Sequence, residues 1–190
     1  ENVLVYRDVE KTQGFYTNSG FFNRYNLQAA VRLAVKLEFC AGLLMHGTNA
    51  SGTGGFRGVQ AAIGELVALR ELQWGLTTLM ALDPEPGVGG TVVPRLQTAA
   101  ANRLHMTNTW QQVREIFEVT LAGAPIYTVS SVRDLQNPEL EPVIARYFRG
   151  TGIDAVTRIK LSKRGPGCGD LIVVVQLKPD LSFVRRCADL

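Results

Sequence analysis

The chain contains 190 residues, of which 46% are hydrophobic and 19% are charged, and its formal net charge at pH 7 is +3. This length and apolar content are typical of one globular domain with a packed core, which excludes intrinsic disorder and a disulfide-held miniprotein. The small net charge, without a run of five like charges, argues against nucleic acid as a partner.

Residues 1–7 alternate weakly between apolar and polar side chains, which predicts a short strand. A single strand is not stable by itself, so we expect this one to leave a sheet that the sequence does not contain. The opening residues include no initiating Met, basic stretch or small-residue cleavage site, and a signal peptide is therefore not predicted. Residues 1–21 are interpreted as the exit of a missing β-domain and a linker.

Two long helices are predicted next. From about Asn23 to Thr48, apolar residues recur at helical spacing and cover most of the circumference, which is typical of a central helix. A second broad apolar face runs from about Phe56 to Leu82, where a Pro-rich segment ends it. The glycine-rich stretch 49–58 between them favours an antiparallel helical hairpin.

The remaining helical signals lie between Pro94 and Leu161. Pro94 can open a third helix that runs to about Leu121, with a kink expected at Thr107-Asn108-Thr109. Asn137-Pro138-Glu139 has the form of a helix start and predicts a fourth helix ending at Arg149-Gly150. A fifth, shorter helix is expected from Ile153 to about Leu161. Residues 22–161 are thus predicted to form an all-α bundle.

The composition changes after Leu161. Residues 162–169 are rich in Gly and basic side chains, and Leu171 to Leu177 is a β-type run without helical periodicity. We interpret residues 162–190 as a tail unrelated to the bundle, either disordered or the product of an altered reading frame.

Membrane and metal partners are not predicted. Charged residues interrupt every apolar stretch before it reaches the roughly 18 residues that a membrane span needs. Cys40, Cys168 and Cys187 form no close pair and have no histidine at ligand spacing. Neither a disulfide framework nor a metal site is indicated, and a reducing cytoplasm is the expected location.

The glycine-rich segment Gly52–Gly58 invites comparison with a phosphate-binding loop, because such loops expose backbone N–H groups to anions. Here a helix precedes the loop instead of a strand, and no Lys-Ser/Thr pair follows, so a plain helix reversal is favoured. Arg57 and Gln60 lie one turn apart at the start of the next helix, where they are candidates to contact an anionic ligand. Ordinary solvated polarity of a first turn is the alternative.

Few other residues suggest chemistry. Ser130-Ser131-Val132-Arg133-Asp134 suits a turn and a phosphate contact equally well. His46 and His105 have no partnering pattern and are interpreted as structural or surface residues. Trp74 and Trp110 occupy helical positions and are interpreted as core. No catalytic residue is predicted, and the residues by themselves indicate no reaction.

A family resemblance adds to this interpretation. Residues 32–39, RLAVKLEF, followed by residues 53–65, TGGFRGVQAAIGE, resemble the C-terminal helical domain of the oxygenase component of 4-hydroxyphenylacetate 3-monooxygenase. The resemblance covers about residues 1–161, because the opening strand is similar to the exit of the family's middle β-domain. Later blocks of the same family are similar to Pro125-Ile126-Tyr127, Ser130-Ser131-Val132-Arg133-Asp134, Asn137-Pro138-Glu139-Leu140, Arg146-Tyr147 and Arg149-Gly150.

The resemblance implies a fold and a chemistry. The fold is an antiparallel four-helix bundle of acyl-CoA dehydrogenase C-terminal type, which helps to form a homotetramer. Members of the family take reduced FAD from a separate flavin reductase, form a flavin C4a-hydroperoxide with O₂ and hydroxylate a phenol at the ortho position. By this analogy Arg57, Gln60, Ser130, Ser131 and Arg133 are the candidates for flavin or subunit contacts.

Two departures from the family limit what the chain is expected to do. The family's N-terminal helical domain and most of its β-domain have no counterpart in the sequence, and after Leu161 the family's C-terminal segment is replaced. We therefore expect the C-terminal part of a reduced-flavin-dependent aromatic hydroxylase that is inactive alone and binds no FAD tightly. The alternative is a non-catalytic helical oligomerisation module. Nothing in the sequence identifies the phenolic substrate.

Overall fold

A computed structural model describes residues 5–121 and 129–163. A short antiparallel hairpin of strands β1, Pro84–Pro86, and β2, Val92–Pro94, connects two of the long helices, with Glu85 opposite Val93. Apart from this hairpin, the regular structure of the described residues is helical. Their helices are α1 (Val9–Asn18), α2 (Phe21–Ser51), α3 (Arg57–Leu82), α4 (Leu96–Thr120), α5 (Glu141–Tyr147) and α6 (Ala155–Ser162).

The chain divides into two compact units. Of the described residues, the first unit contains those up to Lys36 together with Arg70–Thr109, and the second contains Leu37–Leu69 together with 110–121 and 129–163. Each of the three long helices contributes one part to each unit.

In the first unit, neighbouring helices run antiparallel. Ala30 of α2 contacts Gln73 of α3, while Asn23, earlier in α2, contacts the hairpin that follows α3. Asn23 Nδ2 donates to Glu85 Oε1 at 2.8 Å and to Pro94 O at 2.7 Å, so one buried amide holds both strands. The apolar centre consists of Ala30, Met80 and Ala99, with Leu27 packed against them.

In the second unit, a separate apolar cluster joins a short 3-10 turn, Val132–Gln136, to α5 and α6. The end of α2 is held through its backbone, because Thr151 N donates to Ala50 O at 2.8 Å. Gly47 faces the side chain of Leu121, the residue that follows α4. The cluster consists of Val129, Ile144, Ala155 and Ile159, with Leu135 and Phe148 at its edge.

The N-terminal segment differs from the sequence interpretation. Residues 5–7 form no strand, and α1 occupies most of the stretch predicted as a linker. Asp8 caps this helix, since its Oδ1 accepts from Lys11 N at 2.9 Å. The helix has no buried residue and hence no apolar stripe, which explains why periodicity did not reveal it. Residues 1–4 lie outside the described residues.

The kink predicted at Thr107-Asn108-Thr109 is wrong, because α4 continues unbroken through these positions. Thr107 Oγ1 donates to Arg103 O at 3.3 Å, and Thr109 Oγ1 lies 3.1 Å from His105 Nε2. Both hydroxyls therefore contact the preceding turn without interrupting the helix.

The start predicted for the fourth helix is also early. Asn137 Oδ1 accepts from Glu139 N at 2.9 Å and forms a turn, and α5 begins only at Glu141. This helix ends at Tyr147, before the predicted end at Arg149-Gly150. The fifth predicted helix is α6, which begins at Ala155.

Several predictions fall outside the described residues. They are the block Pro125-Ile126-Tyr127, the β-type run Leu171 to Leu177 and most of the tail 162–190. Of that tail, Ser162 is the last residue of α6 and Lys163 is its C-cap. Among the helices described, none combines the length and apolarity that crossing a membrane requires.

Candidate functional site

The connection between α2 and α3 positions the first pair of candidate residues. Gly52 follows α2 with a φ of 73°, and its N–H donates to Asn49 O at 3.0 Å. Thr53 N donates to Thr48 O at 2.9 Å. These two N–H groups cap the carbonyls of α2 and are not directed at a ligand, so the glycine-rich segment is a helix reversal.

Arg57 and Gln60 lie on the first turn of α3, three residues apart and therefore on one face. Both are exposed, and neither side chain has a hydrogen-bond or ion-pair partner among the described residues. One guanidinium and one amide are thus available to contact a ligand or another chain.

The second group of candidates lies on the 3-10 turn of the same unit. Ser131 caps this turn, because its Oγ accepts from Arg133 N at 3.1 Å. Asp134 completes a capping box, since its Oδ2 accepts from Ser131 N at 3.1 Å. The same carboxylate oxygen accepts from Ser130 Oγ at 3.1 Å.

These bonds give the two serine hydroxyls different roles. Ser130 commits its O–H to the Asp134 carboxylate and keeps only acceptor lone pairs. Ser131 uses its oxygen as an acceptor, so its O–H is free to donate. With the exposed Arg133, Ser131 therefore presents donors suited to an anion, while the charge of Asp134 opposes an anion beside Ser130.

The structure thus brings Ser130, Ser131 and Arg133 together on one turn. Among the described residues, no hydrogen bond or ion pair joins Arg57 or Gln60 to that turn. A further cation is near, since Lys163 Nζ donates to Ser130 O at 3.4 Å.

The other residues that sequence analysis considered do not form a reactive centre. His105 contacts Thr109 within α4, and His46 is exposed on α2. Trp74 is half-buried, and its indole Nε1 is buried without a partner among the described residues. Within residues 5–121 and 129–163, no group of three His, Cys, Asp or Glu side chains is arranged to hold a metal ion.

Sequence analysis missed an exposed aromatic cluster where α1 meets α2. Neighbouring ring centroids in it are 5.1 to 6.5 Å apart, and Phe21 stacks on Tyr25 at 5.6 Å with an interplanar angle of 11°. The sequence signal was the density of rings within eleven positions, without helical spacing. The members are Phe15, Tyr16, Phe21, Phe22 and Tyr25, all at least one third exposed.

Comparison with known proteins gives this architecture a family. The family model described as 4-hydroxyphenylacetate 3-hydroxylase C terminal matches residues 12–164. The chain is 49% identical over 163 residues to the pyoverdin chromophore biosynthetic protein PvcC of Pseudomonas aeruginosa, covering 86% of this chain and 33% of that protein. It is 40% identical over 164 residues to the 4-hydroxyphenylacetate 3-monooxygenase oxygenase component of Klebsiella oxytoca, covering 86% and 32% respectively. The chain thus spans about a third of the length of these relatives.

A solved structure shares the fold. The oxygenase component of 4-hydroxyphenylacetate 3-monooxygenase, complexed with FAD and 4-hydroxyphenylacetate, superposes with a TM-score of 0.76 at 22% identity, covering 85% of this chain and 33% of that chain. The predicted fold class, an all-α bundle of acyl-CoA dehydrogenase C-terminal type, is confirmed by such likenesses. Because the family match spans well over half of its residues, the chain belongs to the 4-hydroxyphenylacetate 3-hydroxylase C-terminal family.

Proposed function

We propose that this chain is the C-terminal part of the oxygenase component of a two-component, reduced-flavin-dependent aromatic hydroxylase. The observation that carries the proposal is the family match over residues 12–164, together with identities of 38–49% to the curated relatives. The reaction is the ortho-hydroxylation of a phenol, an activity that belongs to the complete oxygenase.

The cofactor is reduced FAD, supplied by a separate flavin reductase that acts as a diffusive source. When bound, the flavin supplies the activation of O₂, and the protein binds it, orients it and excludes water. The donors of the exposed Arg57, Gln60 and Arg133 and of the half-buried Ser131 fit the anionic phosphates of such a cofactor. Ser130 fits a different contact, because its free lone pairs accept hydrogen bonds instead of donating them.

The chain alone is expected to be inactive. The matched region spans about a third of the length of its relatives. The substrate is a phenol, and its identity depends on residues that the matched third does not supply. We place the working protein in the cytoplasm, with neither nucleic acid nor membrane as a partner.

Anaerobic titration of reduced FAD into the chain, followed by fluorescence, tests this assignment. We expect no tight stoichiometric complex, and no hydroxylated product when 4-hydroxyphenylacetate, NADH and a flavin reductase are added in air. Turnover of 4-hydroxyphenylacetate above that of a reductase-only control would show that the chain is a complete enzyme and would overturn the proposal.

A non-catalytic oligomerisation module is the second candidate. Val31, Val35 and Phe39 recur every four residues along α2 and are exposed, and the aromatic cluster is exposed as well. Such apolar surface suits a homo-oligomer, and a tetramer is the state that the family resemblance favours. Sedimentation distinguishes the outcomes: a discrete oligomer is expected, and a monodisperse monomer at micromolar concentration would contradict this candidate.

A further inference from the structure

A polar cluster lies inside the first unit and includes none of the residues proposed to contact the flavin. Gln73 of α3 and Asn102 of α4 are both completely buried. Gln73 Nε2 donates to Ala30 O of α2 at 3.2 Å and to Asn102 Oδ1 at 2.8 Å. A single amide group therefore joins three helices.

The carbonyl oxygen of the Gln73 side chain has no hydrogen-bond partner among the described residues. Both N–H groups of the Gln73 side chain are used, whereas Oε1 is buried and accepts no hydrogen bond from any described residue. A buried carbonyl without a partner is destabilising, because it loses its hydrogen bonds to water and forms none with the protein. In native proteins an ordered internal water is the usual partner of such an atom.

Thr77 offers a second hydrogen-bond acceptor on the same face of α3. It lies one turn further along α3, on the same face as Gln73, and is 6% exposed. Its hydroxyl donates to Gln73 O at 2.7 Å, so its O–H is used while its lone pairs remain available. The two acceptors, Gln73 Oε1 and Thr77 Oγ1, match the two O–H groups of one water molecule.

Two polar contacts are enough for such a water, because a stable internal water has two to four polar partners.

We propose that the first unit binds one long-lived internal water, held by Gln73 Oε1 and Thr77 Oγ1. This water completes the hydrogen bonding of the amide that joins α2, α3 and α4.

A crystal structure of the chain that shows ordered solvent locates the water, and magnetic relaxation dispersion of the solvent counts long-lived waters in solution. We expect a water at about 2.7–3.2 Å from Gln73 Oε1. Gln73→Leu is expected to lose one long-lived water. Gln97→Leu, which changes an exposed residue of α4, is the matched control and retains it.

A dry contact between Gln73 Oε1 and apolar atoms in the wild-type crystal structure would overturn the proposal. So would an unchanged count of long-lived waters in Gln73→Leu. If Gln73→Leu fails to fold, long-lived waters are counted in the near-isosteric variant Thr77→Val instead. It removes the second acceptor and is expected to lose the same water, and retention of the water would contradict the site as stated.

Discussion

Two glycines of the second unit differ in what surrounds them, and this difference gives a matched stability test. A Cβ atom at Gly150 would lie 2.7 Å from Ala50 O, a backbone atom that already accepts from Thr151 N. Because that carbonyl cannot move without losing its hydrogen bond, we expect Gly150→Ala to destabilise the chain by about 1–3 kcal/mol. Thermal or urea unfolding measures the effect.

Gly64, inside α3, is the control for this substitution. No atom lies within 4 Å of a Cβ placed there, so Gly64→Ala adds helix propensity without a clash. It is expected to stabilise the chain by about 0.5–1 kcal/mol. Equal effects of the two substitutions would contradict the packing described at Gly150.

Asp154 lies at the N-terminus of α6, where its side chain caps the helix. Hydrogen bonds from the Thr157 hydroxyl and the Thr157 backbone N–H lower the pKa of this carboxyl below its usual value. A lowered pKa in the folded state means that the ionised carboxylate stabilises the fold above the unfolded-state pKa. This stabilisation is lost as the pH falls through the lower, folded-state pKa.

We therefore expect Asp154→Ala to lower the melting temperature at neutral pH, and its difference from wild type to shrink in the acidic range below the usual carboxyl pKa. Asp154→Asn keeps a capping side chain without the charge and is expected to lose this pH dependence. Differential scanning calorimetry across that range measures both variants. A pH-independent difference between wild type and Asp154→Ala would refute the assigned role.

The two serines of the 3-10 turn also make separable predictions. Ser131→Ala removes the cap of the turn and is expected to cost about 1 kcal/mol of unfolding free energy. Ser130→Ala removes only an exposed bond to Asp134 and is expected to change stability by less than about 0.5 kcal/mol. Urea unfolding compares them, and an equal or larger loss in Ser130→Ala would contradict the hydrogen-bond roles assigned to the pair.

At the scale of elements, the hairpin of β1 and β2 depends on a residue distant in sequence. Asn23 of α2 donates to both strands and is buried, so Asn23→Ala breaks two hydrogen bonds and leaves Pro94 O with one partner fewer. We expect a loss of about 1–3 kcal/mol and faster hydrogen exchange at Gly87, whose N–H donates across the hairpin to Thr91 O. Asn108→Ala, exposed on α4, is the control. Unchanged exchange at Gly87 would show that Asn23 does not hold the strands.

The three long helices were predictable because each buries a broad apolar face that repeats at helical spacing. The hairpin could not be predicted from the sequence, because its Pro- and Gly-rich residues indicate only the end of a helix. The hydrogen bonds from Asn23 that stabilise it join residues more than sixty positions apart. Helix α1 was missed because it buries nothing. Residues that share a local turn, such as Ser130 and Ser131, could be grouped from sequence. The sequence could not predict which of the two hydroxyls donates a hydrogen bond, because this depends on the orientation of the Asp134 carboxylate.

At the scale of the whole molecule, exposed apolar residues predict self-association. Val35 is 54% exposed on α2 and stands between Val31 and Phe39 in a row along that helix. If this row contacts a second copy, Val35→Lys places a charge in an apolar interface and is expected to dissociate the oligomer. Analytical ultracentrifugation measures the change. Leu104→Lys, at an exposed position of α4, is the control, and equal dissociation by both variants would argue against the α2 row as the contact.

We propose that this chain serves as the C-terminal third of a flavin-dependent oxygenase. Replacing the matched third of the Klebsiella oxytoca oxygenase component with residues 12–164 of this chain tests the claim most directly. Product formation from 4-hydroxyphenylacetate is then measured with reduced FAD supplied by a flavin reductase. We predict hydroxylation by the chimera and none by the truncated relative alone. A folded chimera that binds FAD yet forms no hydroxylated product would contradict the account.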